Sequence, residues 1–247
     1  MAHGDWLVPS LPVDGIGALM TTRHGGTSAA PFDSLNLKYG IGDDDAAVAR
    51  NQALFAEALG GAQPVWLNQV HGTRVVRLTA ADLQAPMHDA DASLTTERGI
   101  ACTVQVADCL PVLFATRGGV AAAHAGWRGL SGGVLEATAA ALREATGADE
   151  VHAWLGACIG PAHFEVGEDV LRAFGADPAE PDPARFRPAQ PGKWMADLPQ
   201  LARDRLRACA IASIGGGTWC TMADASRFFS FRRDRITGRM AAAVWRV

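Results

Sequence analysis

Three short stretches hold the side chains best able to do chemistry: Asn68-Gln69-Val70-His71-Gly72, Ala107-Asp108-Cys109-Leu110-Pro111 and His124-Ala125-Gly126-Trp127-Arg128-Gly129. Each lies at the end of an apolar run, and loops at strand ends are where a rigid sheet brings distant side chains together. His71, Cys109 and His124 would then form a His₂Cys set. Three protein ligands leave a tetrahedral zinc one open position for water or substrate, which is the arrangement of a catalytic site. The same residues fit two other readings. Cys109 could act as a nucleophile with His71 or His124 as its base, without a metal. Alternatively, Cys109 is a small core hydrophobe and the histidines are hydrogen-bonded residues at strand ends. Spacing leaves all three open. Asp108, beside Cys109, is a candidate for moving a proton or orienting a neighbour, and equally for capping a turn.

A second signal is the run HAGWRGLSGG from His124 to Gly133. It places Arg128 and several glycines at the start of an expected helix, where free N–H groups and the helix dipole favour an anion such as phosphate. A glycine turn chosen for tight strand-to-helix packing reads equally well. The run lacks the GxxxxGK[ST] spacing of a P-loop, and Gly215-Gly216-Gly217 is not followed by a dinucleotide fingerprint. Arg23, in Arg23-His24-Gly25-Gly26-Thr27-Ser28, joins a guanidinium to a flexible turn and is a second anion-binding candidate. Near the end of the chain, Arg227-Phe228-Phe229-Ser230-Phe231-Arg232-Arg233 interleaves cations with aromatics. The expected roles are phenylalanines in the core and arginines in ion pairs or at a pocket mouth.

The elements that must position these groups follow from periodicity. Acids at 44–45 precede a helical apolar repeat over 44–59 that stops at Gly60-Gly61, and a second repeat over 131–146 stops at Gly147. Extended runs are expected at 65–67, 75–78, 92–95, 100–106, 112–114, 120–123 and 151–157, with a final strand over 240–247. Helical character returns over 198–209. The proline-rich segment 177–192 reads as a long surface loop and a candidate lid. Strand runs cluster between the helices without regular βαβ alternation. This predicts an α/β (α+β) fold, a mixed β-sheet core covered by helices, in one domain over 1–247.

Composition bounds the function. The 247 residues are 49% hydrophobic and 19% charged, the profile of a chain able to bury a large core. A net charge of −4 offers no basic field for a polyanion, so nucleic acid is not an expected partner. No apolar stretch is long enough to span a bilayer and the N-terminus lacks the pattern of a secretory signal, so the expectation is a cytoplasmic protein away from membranes. The 5 cysteines show no CxxC spacing and do not read as a disulfide framework. The 7 histidines lack the clustering that a multinuclear copper centre needs, which argues against a true laccase, although copper would bind a His₂Cys site avidly.

Several motifs occur together in one order: TTRHGGTS at 21–28, FDSLNL at 32–37, NQVHG at 68–72, DADASLTT at 89–96, ADCLPVLF at 107–114, AAAHAGWRG at 121–129, GACIGPAHFEVG at 156–167 and FFSFRRDRITGRMAAAVW at 228–245. In these the chain resembles the YfiH/laccase-domain family, also described as multicopper polyphenol oxidases or purine nucleoside phosphorylases. The resemblance covers nearly the whole chain. It implies zinc held by His71, Cys109 and His124, and a fold similar to a bacterial deamidating toxin domain with a Cys-His site. It also implies phosphorolysis of adenosine, inosine, guanosine and 5′-methylthioadenosine, with deamination of adenosine. Partners are then purine nucleosides and inorganic phosphate, the latter on Arg128 with Arg23, in a monomer or small homo-oligomer. Thr221-Met222 departs from the family, which usually has an aromatic after Cys-Thr, and this predicts a different pocket wall. A copper-binding polyphenol oxidase, a metal-independent cysteine hydrolase and a non-enzymatic zinc-binding protein are the competing functions.

Overall fold

Successive side chains of a strand point to opposite faces, and a strand lying between two packed layers is therefore apolar on both. The strand Met240–Arg246 shows this: Met240, Ala242 and Val244 enter one core, while Ala241, Ala243 and Trp245 enter another. The computed structural model describes residues 3–247. In it, a four-stranded sheet runs in the order Ile16–Met20, Met240–Arg246, Ile100–Val106, Gln63–Val65. A six-stranded sheet runs in the order Ser213–Gly216, Val151–Leu155, Leu110–Thr116, Gly119–Ala125, Ala92–Thr95, Val75–Arg77. Each sheet mixes parallel and antiparallel pairs.

The two sheets stack on each other. Val104, Val106 and Val244 of one meet Leu113, Ala122 and Trp154 of the other in a shared core. The outer face of the six-stranded sheet is covered by the helices Val134–Thr146 and Leu198–Ala208, through Leu135, Ala139, Leu142, Leu201 and Leu206. The outer face of the four-stranded sheet is covered by the helix Asp45–Ala58, whose Phe55 packs among Leu35, Ala243 and Trp245. The expected mixed α/β architecture with helices outside is therefore present, with its strands divided between stacked sheets. No helix is long and apolar enough to cross a membrane among the described residues.

Local signals placed most elements closely. Asp44 caps the first helix, its carboxylate accepting from the N–H groups of Ala46 and Ala47, which leaves fewer unpaired donors at the helix start. The helix expected over 131–146 starts earlier and is broken. Trp127–Gly132 and Val134–Thr146 are separate helices, divided at Gly133, whose φ of 100° lies in the left-handed region that glycine tolerates. The segment 177–192 is not wholly irregular: Phe186–Pro188 pairs with Lys193–Ala196, which in turn pairs with Glu165–Gly167. None of its residues lines the cavities described below.

Candidate active site at the crossing between the sheets

Ile100–Val106 belongs to the four-stranded sheet and Leu110–Thr116 to the six-stranded one, so Ala107-Asp108-Cys109 is where the chain passes between them. Asp108 makes this sharp transition with φ at 91°. Antiparallel pairing of Leu110 with Ala125 and of Pro111 with His124 brings Cys109 beside the end of the strand Gly119–Ala125. Gly126 follows that strand. A Cβ there would stand 2.9 Å from Cys109 Sγ and 3.1 Å from His71 Cδ2, so a glycine is needed for the approach.

His71 arrives from elsewhere. The short strand Leu67–Asn68 pairs in parallel with His88–Asp89, laying the loop after Asn68 against residues 89–91. Gln69 fastens the same loop to the four-stranded sheet by exchanging hydrogen bonds with the backbone of Gln105, at 2.8 and 2.7 Å. Asp91, fully buried, then organises the centre. Its Oδ2 accepts from the backbone N–H of Val70 and Gly72 at 3.1 and 2.6 Å. Its Oδ1 takes the N–H of His71 at 2.9 Å and lies 2.8 Å from His124 Nδ1. One carboxylate thus fixes both histidines, including the left-handed backbone of His71 at φ 61°, a conformation that costs energy in a non-glycine residue unless its surroundings hold it. With Nδ1 donating to Asp91, His124 presents Nε2 to the centre.

The outcome is that one ligand atom each from His71, Cys109 and His124 lie within 4.8 Å of one another. Cys109 Sγ is 4.0 Å from His71 Nε2, and the two imidazoles meet edge to face with centroids 4.9 Å apart. Burial opposes ionisation of the Cys109 thiol, yet the His124 charge and contacts with both imidazoles outweigh it and bring its pKa down to about 6. Burial likewise opposes the His124 imidazolium, but the Cys109 thiolate and the Asp91 carboxylate raise it to about 9. Asp91 itself is held below the usual carboxylate range: burial works against ionisation, and the His124 contact with the Gly72 and His71 amides prevails. The arrangement keeps a thiolate ready to ligate a metal or to act as a nucleophile.

Two cavities share the walls formed by His71, Ala107, Cys109 and Phe231. The first, about 290 Å³, is walled by Trp127, Ile159 and Phe164, with Arg128, Arg232 and Arg235 also lining it. The second, about 320 Å³, is lined by Lys38, Gln69, Gln105, His124 and Arg239 together with Val106. Asp108 lines the first cavity, but its carboxylate accepts from Thr221 Oγ1 and from the backbone N–H of Arg232, both at 2.6 Å. It therefore ties the crossing loop to the Phe231–Asp234 turn. Met222, the residue in place of the usual aromatic, packs against the core outside the cavity lining. Arg128 is exposed at the mouth, with its guanidinium carbon 4.3 Å from the Trp127 ring centroid. Arg23 is not brought to either cavity. Its Nε and Nη1 donate to the carbonyls of Asp33 and Ala225, its Nη2 pairs with Asp33, and it covers Phe229.

With this geometry in view, relatedness is informative. The family model described as multi-copper polyphenol oxidoreductase laccase matches residues 17–247. The chain belongs to this family. Among the described residues of this family member, the group that could hold a metal is the single set His71, Cys109 and His124. A purine nucleoside phosphorylase of Pseudomonas aeruginosa is 49% identical over 243 residues, covering 97% of this chain and 98% of its own. The purine nucleoside phosphorylase YfiH of Escherichia coli is 46% identical over 243 residues, with the same coverage of 97% and 98%. Among solved structures, a Neisseria meningitidis protein superposes with a TM-score of 0.88 at 42% identity, covering 98% of this chain and 99% of its own. YlmD of Geobacillus stearothermophilus follows with a TM-score of 0.87 at 32% identity, covering 96% and 94%.

Asp91, Gly126, Lys38 and Arg239 were not singled out by sequence reasoning. Asp91 carried a usable signal: an acid between Ala90 and Ala92 at the head of an apolar strand must be paired if buried.

Proposed function

We propose that this chain is a purine nucleoside phosphorylase whose reacting centre lies at the His71–Cys109–His124 set. The observation carrying this reading is the convergence of those residues on the lining shared by two adjoining cavities, one with Trp127, Phe164 and three arginines, the other with Lys38 and Arg239. The names of the relatives in Pseudomonas aeruginosa and Escherichia coli support it. Zinc is the metal proposed for the set, because a thiolate and two imidazoles suit it and Asp91 orients His124 as carboxylates commonly orient zinc-bound histidines. When bound, zinc supplies a Lewis acid with one position open to a substrate oxygen or water. Copper competes for the same donors.

In this reading the purine enters the cavity walled by Trp127, Ile159 and Phe164, where flat apolar surfaces suit a heterocycle. The ribose then lies against the His71–Cys109 wall. As the glycosidic bond breaks, positive charge develops on the ribose and negative charge on the departing base. Arg128 and Arg235 line the base's cavity and stabilise that negative charge. Asp108 acts as a positioning residue, since both of its oxygens are occupied by protein donors. Adenosine, inosine, guanosine and 5′-methylthioadenosine belong to the proposed substrates, and deamination of adenosine to the proposed activities, because all use the same purine cavity.

A metal-independent cysteine hydrolase is the second reading, favoured by the Cys109 pKa of about 6 beside His124 at about 9. Product chromatography separates the two. Incubated with inosine, the protein is expected to release hypoxanthine and ribose 1-phosphate only when phosphate is present, and Cys109→Ala is expected to release neither. Intact inosine at full zinc occupancy overturns the phosphorylase reading, and activity that survives zinc removal favours the hydrolase.

A further inference from the structure

Lys38 and Arg239 lie far apart in sequence and side by side in space, and buried Asn36 is the reason. Its side-chain oxygen accepts from the backbone N–H of Lys38 at 3.1 Å and of Arg239 at 2.9 Å. Its amide nitrogen donates to the Lys38 carbonyl at 3.0 Å and to Asp43 at 2.9 Å. The backbone of Leu37 adds a bond to the Arg239 carbonyl at 3.1 Å. Both residues line the second cavity, together with His71, Cys109 and His124.

Neither cation has a carboxylate partner within ion-pair distance among the described residues. Arg239 donates from Nη1 to the carbonyls of Thr237 and Gly238, at 2.8 and 3.1 Å, and its guanidinium carbon is 5.6 Å from the Phe231 ring centroid. Its Nε and Nη2 make no bond to the described protein, nor does Lys38 Nζ. Burial, and next the charge of Arg239, push the Lys38 ammonium below its ordinary pKa. The charges of Cys109 and Asp108 act on Arg239, but Cys109 is already matched by His124 and Asp108 by Thr221 and the Arg232 amide. Two partly buried like charges therefore remain costly to hold together, and a dianion with several acceptor oxygens relieves that cost.

We infer that Lys38 and Arg239 form the seat for a phosphate dianion, in the cavity that adjoins the aromatic one along His71, Cys109 and Phe231. That the phosphate is the attacking co-substrate rests on the phosphorylase reading above. Displacement at an anomeric carbon needs nucleophile and leaving group on opposite sides of that carbon, and in this reading the ribose sits where the two cavities adjoin, with the purine in one and phosphate in the other. In the balanced step, an oxygen of HPO₄²⁻ forms a bond to the anomeric carbon as the carbon–nitrogen bond breaks. The electron pair of that bond passes to the purine, which gains the proton hydrogen phosphate gives up. The products are ribose 1-phosphate dianion and neutral base. This seat does for phosphate what the sequence assigned to Arg23 and Arg128.

The phosphate could come as the free ion or as the ester of a nucleotide, and one experiment distinguishes them. Binding of inorganic phosphate and of inosine 5′-monophosphate is measured by calorimetry on the intact zinc-loaded protein, without nucleoside, for wild type, Lys38→Met, Arg239→Lys and the remote control Arg172→Ala. Loss of one charge-assisted contact predicts phosphate binding weaker by about 10- to 100-fold in Lys38→Met, and a smaller loss in Arg239→Lys. The control is expected to match wild type. The KM for phosphate should rise by a similar factor while that for inosine changes less than about twofold. A wild type that binds only the nucleotide, with the same loss in Lys38→Met, retains the seat and assigns it to an ester. Phosphate binding lost in Lys38→Met without any phosphorolysis by wild type retains the seat and removes the phosphorylase reading. Phosphorolysis with an unchanged phosphate KM in both variants, or equal phosphate binding by all four proteins, overturns the inference.

Discussion

Asp91→Asn is the most informative single substitution, because the side chain keeps its shape and loses only one acceptor and its charge. In the wild type, Oδ1 serves His71 N–H and His124 Nδ1, and Oδ2 serves the N–H groups of Val70 and Gly72. An asparagine has one acceptor oxygen, so whichever way its amide sits, the NH₂ faces one of these pairs of donors. Losing two charge-assisted hydrogen bonds at about 1.5–3 kcal/mol each predicts a destabilisation of about 3–6 kcal/mol. That is a large share of a typical domain's stability. For a chain of this size it corresponds to a fall in Tm of roughly 6–24 °C. The second consequence is chemical. If the asparagine amide faces His124, the imidazole must move its hydrogen from Nδ1 to Nε2, where it blocks the nitrogen aimed at the centre. Loss of such an orienting carboxylate predicts about 10- to 100-fold weaker zinc binding. Thermal melting of the metal-free protein reads the first effect, and competition with a chromophoric chelator reads the second. An unchanged Tm together with zinc affinity within twofold of wild type would refute the role given to Asp91.

Three further outcomes follow from the same centre. Gly126→Ala puts a Cβ 2.9 Å from Cys109 Sγ and 3.1 Å from His71 Cδ2. Chelator competition should show weakened zinc binding while far-ultraviolet dichroism stays native, and wild-type affinity would mean that the loop yields freely. In zinc-stripped protein, thiolate absorbance at 240 nm that is lost in Cys109→Ser should titrate with a midpoint of about 6. A midpoint near 8.5, the ordinary thiol value, counts against the ion pair with His124. Stability itself should change little across neutral pH. The depressed Cys109 pKa contributes stability that is lost as pH falls through about 6, and the raised His124 pKa contributes stability that is lost as pH rises through about 9. Those slopes oppose each other, and the folded pair carries the same number of protons as its unfolded counterpart over most of that range.

Local rules were enough to find many of the elements from the sequence. Apolar residues on both faces of 100–106 read as a doubly buried strand, and Ile100–Val106 is fully buried between stacked layers. Acids at 44–45 marked a helix start that Asp44 caps. Such signals depend on period and on neighbours a few residues away, and these are written in the chain order. His71, Cys109 and His124 were legible as candidates at the ends of apolar runs, but their spacing fitted a packing role as well as a chemical one. What the tertiary structure alone decided is which of these meet. Cys109 reaches His124 through strand register, at the point where the chain crosses between sheets. His71 reaches them through the buried carboxylate of Asp91, just before the strand Ala92–Thr95. Arg23 carried the same sequence credentials as Lys38 and Arg239 or better ones, yet its guanidinium is held by Asp33 and Ala225. Lys38 and Arg239, which have no carboxylate partner among the described residues, are gathered by Asn36 from opposite ends of the chain. Whether a charge is paired depends on contacts between residues hundreds of positions apart, and no local pattern encodes that.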